Sequence, residues 1–370
     1  MAQRKSQSTE TTDVPVIEGG SFPTLPLPLP IPYPPMEAKR VDAVPAKGDW
    51  LFEPKWDGFR AIVFRASDSV VIQSKSGQPL GRYFPELIEA FRALPHDHFV
   101  LDGEIVIPIE GHLSFDDLLQ RIHPAESRIR KLSAQTPAQY FAFDLLVEDG
   151  RSLVGEPLAM RRERLDQFFE SEAQRSPIKL SPATTDRNIA EEWFRDFGDL
   201  GLDGVMAKKI SAPYHSGDRN GMVKVKHLIT ADCVVGGYRY ASGSTAAIGS
   251  LLLGLYDEQK RLVFVGHTSS FNKEQKVALR EVVEPLRGEN PFEVRVPGGP
   301  SRWATEKSGE WEAVKPQLVC EVEYDYYSQH RFRHGTKFLR WRPEKAPESC
   351  TMEQVDPARR KGTLEKLGMM

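Results

Sequence analysis

Glu53-Pro54-Lys55-Trp56-Asp57-Gly58-Phe59-Arg60 is the stretch on which the reading of this sequence turns. A lysine stands two residues ahead of an aspartate and a glycine. Its amine attacks phosphorus only when uncharged, so a nucleophilic lysine needs desolvation or neighbouring cations to bring down a reference pKa of about 10.4. A glycine directly after an acidic residue lets the backbone come close to a bound nucleotide. Alone, a Lys-x-Asp-Gly string is a common accident, and its weight comes from the motifs downstream of it.

Five further strings lie beyond it in order: Ser74-Lys75-Ser76-Gly77, Leu101-Asp102-Gly103-Glu104, Phe143-Asp144-Leu145-Leu146, Asp203-Gly204-Val205-Met206-Ala207-Lys208 and Met222-Val223-Lys224-Val225-Lys226. In the last, Lys224 and Lys226 alternate by two, so both project from one face of a strand while Val223 and Val225 face the core. An amphipathic strand without a chemical role has the same alternation.

Around these strings, β-type runs near residue 52 and at 61–65, 70–74, 99–107, 140–147, 178–180, 205–210 and 222–226 alternate with helical periodicity at 85–94, 115–120, 160–172 and 189–197. The pattern is α+β with much antiparallel pairing. Beyond His227 it changes: 232–239, 250–256 and 262–266 read as consecutive strands, 273–286 as a helix, and 318–327 and 337–341 as closing strands. Five strands with one inserted helix match a small Greek-key barrel of the oligonucleotide-binding (OB) kind. The expected organisation is a disordered tail over 1–22, a first domain over 23–229, an OB domain over 230–346 and a charged tail over 347–370. The proline-rich lead-in at 23–35 reads as extended, with the fold beginning near Met36.

With 370 residues, 40% apolar and 27% charged, the chain suits a soluble two-domain protein. It has no long apolar run and no hydrophobic signal region, which points to the cytoplasm and away from a membrane. Three cysteines without a CxxC pair suggest neither a disulfide framework nor a zinc site. The net charge of −3 gives no general basic excess for nucleic acid, so local charge must decide. Arg331, Arg333, Lys337, Arg340, Arg342 and Lys345, opposed only by Glu344, make either a phosphate-contacting patch or a solvated strand pair.

The six strings in this order resemble the covalent nucleotidyltransferase superfamily of ATP-dependent DNA ligases, RNA ligases and mRNA capping enzymes, over about Pro34 to Lys345. Within it the chain is most similar to the bacterial ligase C and ligase D types, through Gln120-Arg121-Ile122-His123-Pro124, Ser250-Leu251-Leu252-Leu253-Gly254 and Phe338-Leu339-Arg340-Trp341-Arg342-Pro343-Glu344-Lys345. The resemblance implies an antiparallel-sheet adenylation domain followed by an OB barrel. It also implies an ATP-dependent DNA ligase that seals 5′-phosphate to 3′-hydroxyl breaks in duplex DNA through a covalent lysyl-AMP, in repair and recombination. An RNA ligase and a non-catalytic DNA-end-binding module are the alternatives.

The resemblance also distributes roles. Lys55 is the nucleophile, and Glu53 accepts a hydrogen bond from the adenine amino group. Phe143 stacks on the base, Arg60 and Glu104 meet the ribose and nucleotide, and Lys75 joins the ATP site. Lys224 and Lys226 hold the α-phosphate and depress the Lys55 pKa. Arg340, Arg342 and Lys345 orient the pyrophosphate when the barrel closes. Glu104 and Asp203 hold Mg²⁺ or Mn²⁺, although Asp203 stands where the superfamily commonly has glutamate and its shorter side chain allows a water-mediated contact. Met222 and Lys75 depart likewise, from tryptophan and arginine. Against these roles stand ordinary ones: an exposed strand carboxylate for Glu53, a core aromatic for Phe143, structural ion pairs for Arg60 and Glu104, and a basic edge strand for the final arginines. The expected partner is nicked or broken duplex DNA, bound by a monomer, with any end-processing polymerase or end-binding protein supplied separately.

Overall fold

The computed structural model describes residues 22–170, 177–200, 202–226, 229–297, 310–325, 327–328, 330–332 and 335–355. Arg333, nearly all of the 1–22 tail and residues 356–370 lie outside the described residues. The chain falls into two compact units that part between Lys226 and His227.

The first unit runs β1 (Lys39–Val41), β2 (Trp50–Lys55), β3 (Phe59–Ala66), β4 (Ser69–Ser74), α1 (Pro85–Ala93), β5 (His98–Val106), β6 (Pro108–Ile109), β7 (His112–Leu113), α2 (Phe115–Gln120), α3 (Glu126–Gln135), β8 (Gln139–Glu148), β9 (Arg151–Ser152), α4 (Leu158–Glu170), β10 (Ile178–Leu180), α5 (Arg187–Leu200), β11 (Gly204–Lys209) and β12 (Met222–Lys226). Two larger sheets result, one in the order β1-β12-β11-β2 and one in the order β10-β8-β5-β3-β4 with β9 beside β8, and β6 pairs with β7 in a small third one. Strand alternation gives the first sheet two different faces. One carries Phe52, Val205, Ala207 and Val225, packed with Ala190 and Trp193 of α5. From the other, Met206 and Met222 pack against Ile62, Phe64, Val100 and Leu146 of the second sheet. On this second face lie Glu53, Lys55, Lys224 and Lys226, while the other three strings lie on or beside β4, β5 and β8 of the second sheet.

The first unit differs from the sequence reading in the short strands β1, β6, β7 and β9, in helix α3 and in the lead-in. Helix α3 was not expected, because Ile129 is its only buried residue and it shows no apolar stripe. The lead-in is packed rather than merely extended: Leu25, Leu27, Leu29, Ile31 and Tyr33 alternate with prolines, and this apolar row lies on the Ile62–Phe64 core. Folding therefore begins before Met36.

The second unit runs β13 (Ile229–Tyr240), β14 (Ile248–Tyr256), β15 (Leu262–Thr268), α6 (Lys273–Val283), β16 (Glu312–Tyr324), β17 (Tyr327–Ser328), β18 (Arg331–Phe332) and β19 (Lys337–Trp341). Helix α6 opens with a capping box, Asn272 and Gln275 each bonding the other's backbone N–H. The sheet order is β15-β14-β13-β16-β19, all antiparallel, and a parallel bridge from Thr268 to Thr336 joins its two ends. That ring of five strands with one inserted helix is the OB fold. Residues 347–355, read as tail, partly pack onto it, with Cys350 and Val355 buried in its core. Among the described residues no helix is long and apolar enough to cross a membrane.

One buried ion pair ties the first unit together. Arg161 of α4 donates from Nε and Nη2 to the two oxygens of Asp144 on β8, at 2.7 and 3.0 Å, and both side chains are almost wholly buried. Removing one partner leaves an uncompensated charge in a low-dielectric site, which costs about 3–5 kcal/mol. Arg161→Met is expected to destabilise the first unit by about that amount, read as a lowered urea midpoint by tryptophan fluorescence.

Candidate active site

Antiparallel register assembles the site. Across β12, β11 and β2, Lys226, Gly204 and Lys55 form one row, and Lys224, Met206 and Glu53 form the next row on the same face. The first row needs its glycine: Gly204 has φ +137°, and a Cβ there would fall on the Val225 carbonyl oxygen. Beside it, the Asp203 N–H donates to the Lys55 carbonyl at 3.0 Å, and the Asp203 carboxylate forms an ion pair with the Lys55 ammonium. Lys226 Nζ lies 3.8 Å from the same carboxylate oxygen. Gly58, in the turn after Lys55, is equally constrained, because a Cβ would meet the Ile105 carbonyl.

This arrangement corrects one expectation. Burial pulls the Lys55 ammonium towards neutrality, but Asp203, with Asp57 and Glu104 beyond it, more than offsets this, so its pKa lies above the ordinary lysine value. Without nucleotide the amine is held protonated. Burial also pushes the Glu104 carboxyl up to about 8, opposed by Lys55 and Arg60.

Glu53 is buried, which removes the exposed-carboxylate alternative. Its Oε2 pairs with Lys208 Nζ at 2.7 Å, whereas its Oε1, also buried, has no hydrogen-bond partner among the described residues. Burial raises its pKa and Lys208 opposes the rise. The Lys208 ammonium also sits 4.3 Å from the Phe143 ring centroid and donates to the Phe143 carbonyl at 3.3 Å. Phe143 itself falls at a β-bulge: Gly103 pairs with Ala142 and Asp102 with Asp144, leaving Phe143 as the extra residue. Bulges re-aim side chains beside active sites.

Arg60 pairs with Glu104 only in backbone register, and its guanidinium grips the Asp102 carboxylate through Nε and Nη2 at 3.1 and 2.7 Å. The structural ion pair weighed for Arg60 is therefore real, and its partner is Asp102. Arg60, Asp102, Phe143, Lys208, Tyr214 and Met222 line a small pocket of about 10 Å³. Lys75 is exposed in the turn after β4 and does not join this cluster through any hydrogen bond or ion pair among the described residues.

In the second unit Arg340 pairs with Glu321 at 2.7 Å, Arg342 with Asp232 at 2.8 Å and with Glu344 at 2.6 Å, and Lys345 with Asp232 at 2.7 Å. These three cations, expected together, are together, each neutralised by carboxylates of its own unit. Among the described residues no group of three or more His, Cys, Asp or Glu side chains could by itself hold a metal. Sequence reasoning assigned no role to Lys208, Asp102 or Tyr214. Lys208 and Asp102 stand inside two of the six motifs, but nothing local shows which residues they bind.

Comparison with known proteins places this geometry. The model described as ATP dependent DNA ligase domain matches residues 35–226, and that of the ATP dependent DNA ligase C terminal region matches residues 244–345. The chain belongs to the ATP-dependent DNA ligase family. ATP-driven sealing of DNA is thus the reaction of this enzyme. It is 46% identical over 334 residues to DNA ligase C1 of Mycolicibacterium smegmatis, covering 87% of this chain and 93% of that one. It is 30% identical over 308 residues to the multifunctional non-homologous end joining DNA repair protein LigD of Mycobacterium tuberculosis, covering 82% of this chain but 37% of LigD. A solved Lig E DNA ligase structure, 19% identical, superposes with a TM-score of 0.51 over 84% of this chain and 99% of that one, a likeness of fold alone.

For this ligase the Lys55–Asp203 pair has a pH consequence. The carboxylate stabilises the ammonium, so removing it lowers the Lys55 pKa and exposes more neutral amine at a given pH. In Asp203→Asn, the acid limb of kcat/KM for enzyme adenylylation, which reports free-enzyme groups, is expected to move to lower pH even as the maximal rate drops. An unmoved limb would show that Asp203 does not control the amine.

Proposed function

We propose that Lys55 takes the adenylate from ATP, that AMP then passes to the 5′-phosphate of a DNA break, and that the 3′-hydroxyl displaces AMP to close the backbone. The observation that carries this reading is the vacant Glu53 Oε1, buried two residues from Lys55 on the same sheet face. An acceptor in that position suits the adenine amino group, with the ring of Phe143 as stacking surface and Arg60 at the ribose. Lys224 and Lys226 meet the α-phosphate from the adjoining rows, stabilising charge as pyrophosphate leaves. Arg340, Arg342 and Lys345 orient the leaving group.

Asp203 and Glu104 offer the hard oxygen donors that Mg²⁺ takes alongside phosphate oxygens and water. Bound there, the ion would offset the Asp203 and triphosphate charges that favour a protonated amine. The likeness to an end-joining LigD supports a role in DNA repair on nicks or ends, with end-processing proteins as separate partners. The three cysteines are free and buried, which suits a monomeric enzyme of the reducing cytosol.

With α-³²P-ATP and Mg²⁺, label is expected to stay on the enzyme through denaturing electrophoresis. Lys55→Ala should lower this adenylylation by about 10⁴-fold or more. The same variant should still close a nick that already carries a 5′-adenylate, within about tenfold of the unmodified enzyme, since the amine has no part in that step. Label retained by Lys55→Ala would overturn the assignment. Tight binding of nicked duplex without pyrophosphate release would favour a binding module instead, and preferential sealing of nicked RNA would favour an RNA ligase.

A further inference from the structure

Arg60 is fixed on three sides before any nucleotide arrives. Its Nε and Nη2 reach the two Asp102 oxygens, and its Nη1 donates to the Met36 carbonyl at 2.6 Å. Of the five guanidinium N–H groups, these contacts use three and leave one on each terminal nitrogen. A single phenol ties both anchors together: Tyr214 Oη donates to Asp102 Oδ2 at 2.7 Å and accepts from the Met36 N–H at 2.9 Å. Arg60, Asp102, Tyr214 and Met36 therefore close a hydrogen-bonded ring, with Asp102 and Tyr214 buried.

Tyr214 lies in the loop between β11 and β12, and that loop is stitched to the proline-rich lead-in. Glu37 N–H donates to the Asp218 carbonyl at 2.7 Å, Gly217 N–H to that of Pro35 at 3.2 Å and Ser216 Oγ to that of Pro34 at 2.7 Å. Arg219 pairs with Glu37 at 2.8 Å, and the Tyr33 ring stacks on Tyr214 with centroids 6.3 Å apart. The lead-in thus delivers the Met36 peptide to Arg60, while the loop delivers the phenol.

We propose that Tyr214 is a positioning residue of the nucleotide site: with Asp102 and the Met36 peptide it aims the Arg60 guanidinium at the ribose, which makes the proline-rich lead-in part of ATP recognition. This rests on the reading that Arg60 meets the ribose. An arginine ordered in advance loses less rotamer freedom when the ligand binds. Its remaining N–H groups then meet the ribose hydroxyls in one fixed geometry. Without the phenol hydroxyl, Asp102 loses a donor, the Met36 N–H loses its acceptor, and both anchors of Arg60 loosen.

The test compares ATP with 2′,3′-dideoxyATP in self-adenylylation of the full chain, for the unmodified enzyme, Tyr214→Phe and Arg60→Ala. Tyr214→Phe is expected to raise KM for ATP about three- to tenfold with kcat within about twofold, and to leave KM for 2′,3′-dideoxyATP within about twofold of the unmodified enzyme. Because each variant is compared with itself on two nucleotides, a general loss of folded enzyme cancels. An equal penalty on both nucleotides, or none with ATP, would overturn the positioning role. Arg60→Ala separates the layers. If its penalty also disappears with the dideoxy nucleotide while that of Tyr214→Phe does not, the Tyr214 inference alone fails. If Arg60→Ala penalises both nucleotides alike, the ribose assignment of Arg60 falls and takes the inference with it.

Discussion

Antiparallel pairing of β11 between β2 and β12 is the constraint on which the site depends. Because side chains alternate with a period of two, a slip of one residue in either pairing would send Lys224 and Lys226 to the face opposite Lys55. Gly204 guards the register, since its positive φ and the Val225 carbonyl against it exclude any side chain at that point of the middle strand. Its neighbour Asp203 then serves twice. The backbone N–H extends the pairing to the Lys55 carbonyl, and the carboxylate takes the Lys55 ammonium. Fold and chemistry meet in one dipeptide, which is why an Asp-Gly string in this position carries so much information.

The same economy governs charge. A chain of net charge −3 has no basic excess with which to draw a polyanion. The cations we assign to nucleotide and phosphate are held by carboxylates instead: Lys55 and Lys226 beside Asp203, Arg60 on Asp102, Arg342 and Lys345 on Asp232. Burying an unpaired ammonium or guanidinium is costly, so each pair keeps its cation inside the fold while the site is empty. For Lys55 and Lys226, binding of a triphosphate would then be an exchange of anionic partners, whereas Arg60 keeps Asp102. For Lys55 the exchange alone does not free a neutral amine, since a triphosphate favours the ammonium as Asp203 does; a metal ion that offsets both charges would.

Much of the fold was legible because its strands are strongly patterned. The Lys-Val alternation at 222–226 placed β12, and the runs from Asp232 to Gly266 placed the first three barrel strands. Helix α3 was not legible, since a helix with one buried residue writes no periodicity. The packed lead-in could have been read, because leucine or isoleucine at every second position between prolines is a period-two apolar row. The motif positions that the strands bring together were legible, but their partners were not. Nothing near residue 60 distinguishes Asp102 from Glu104 as the partner of Arg60, and nothing near residue 214 shows that a loop tyrosine joins them across the fold. Such contacts are products of tertiary structure. The bulge that re-aims Phe143 is hidden for the same reason, being a relation between two strands rather than a property of either.

If Glu53 takes adenine as proposed, base selectivity follows from the carboxylate that the fold leaves incomplete. Lys208 Nζ pairs with Oε2 of Glu53 at 2.7 Å, and the carboxylate of such an ion pair is acceptor-only. Oε1 is left as a buried acceptor without a donor among the described residues. An unsatisfied buried acceptor costs about 1–3 kcal/mol, and a base that donates an N–H there removes the penalty. Adenine presents an amino group at its C6 position; guanine presents a carbonyl, which adds a second acceptor facing the first. The difference corresponds to about ten- to a hundredfold in nucleotide preference. It needs no contact beyond one oxygen, because the protein has already buried that oxygen and committed the neighbouring Lys208 ammonium to the other.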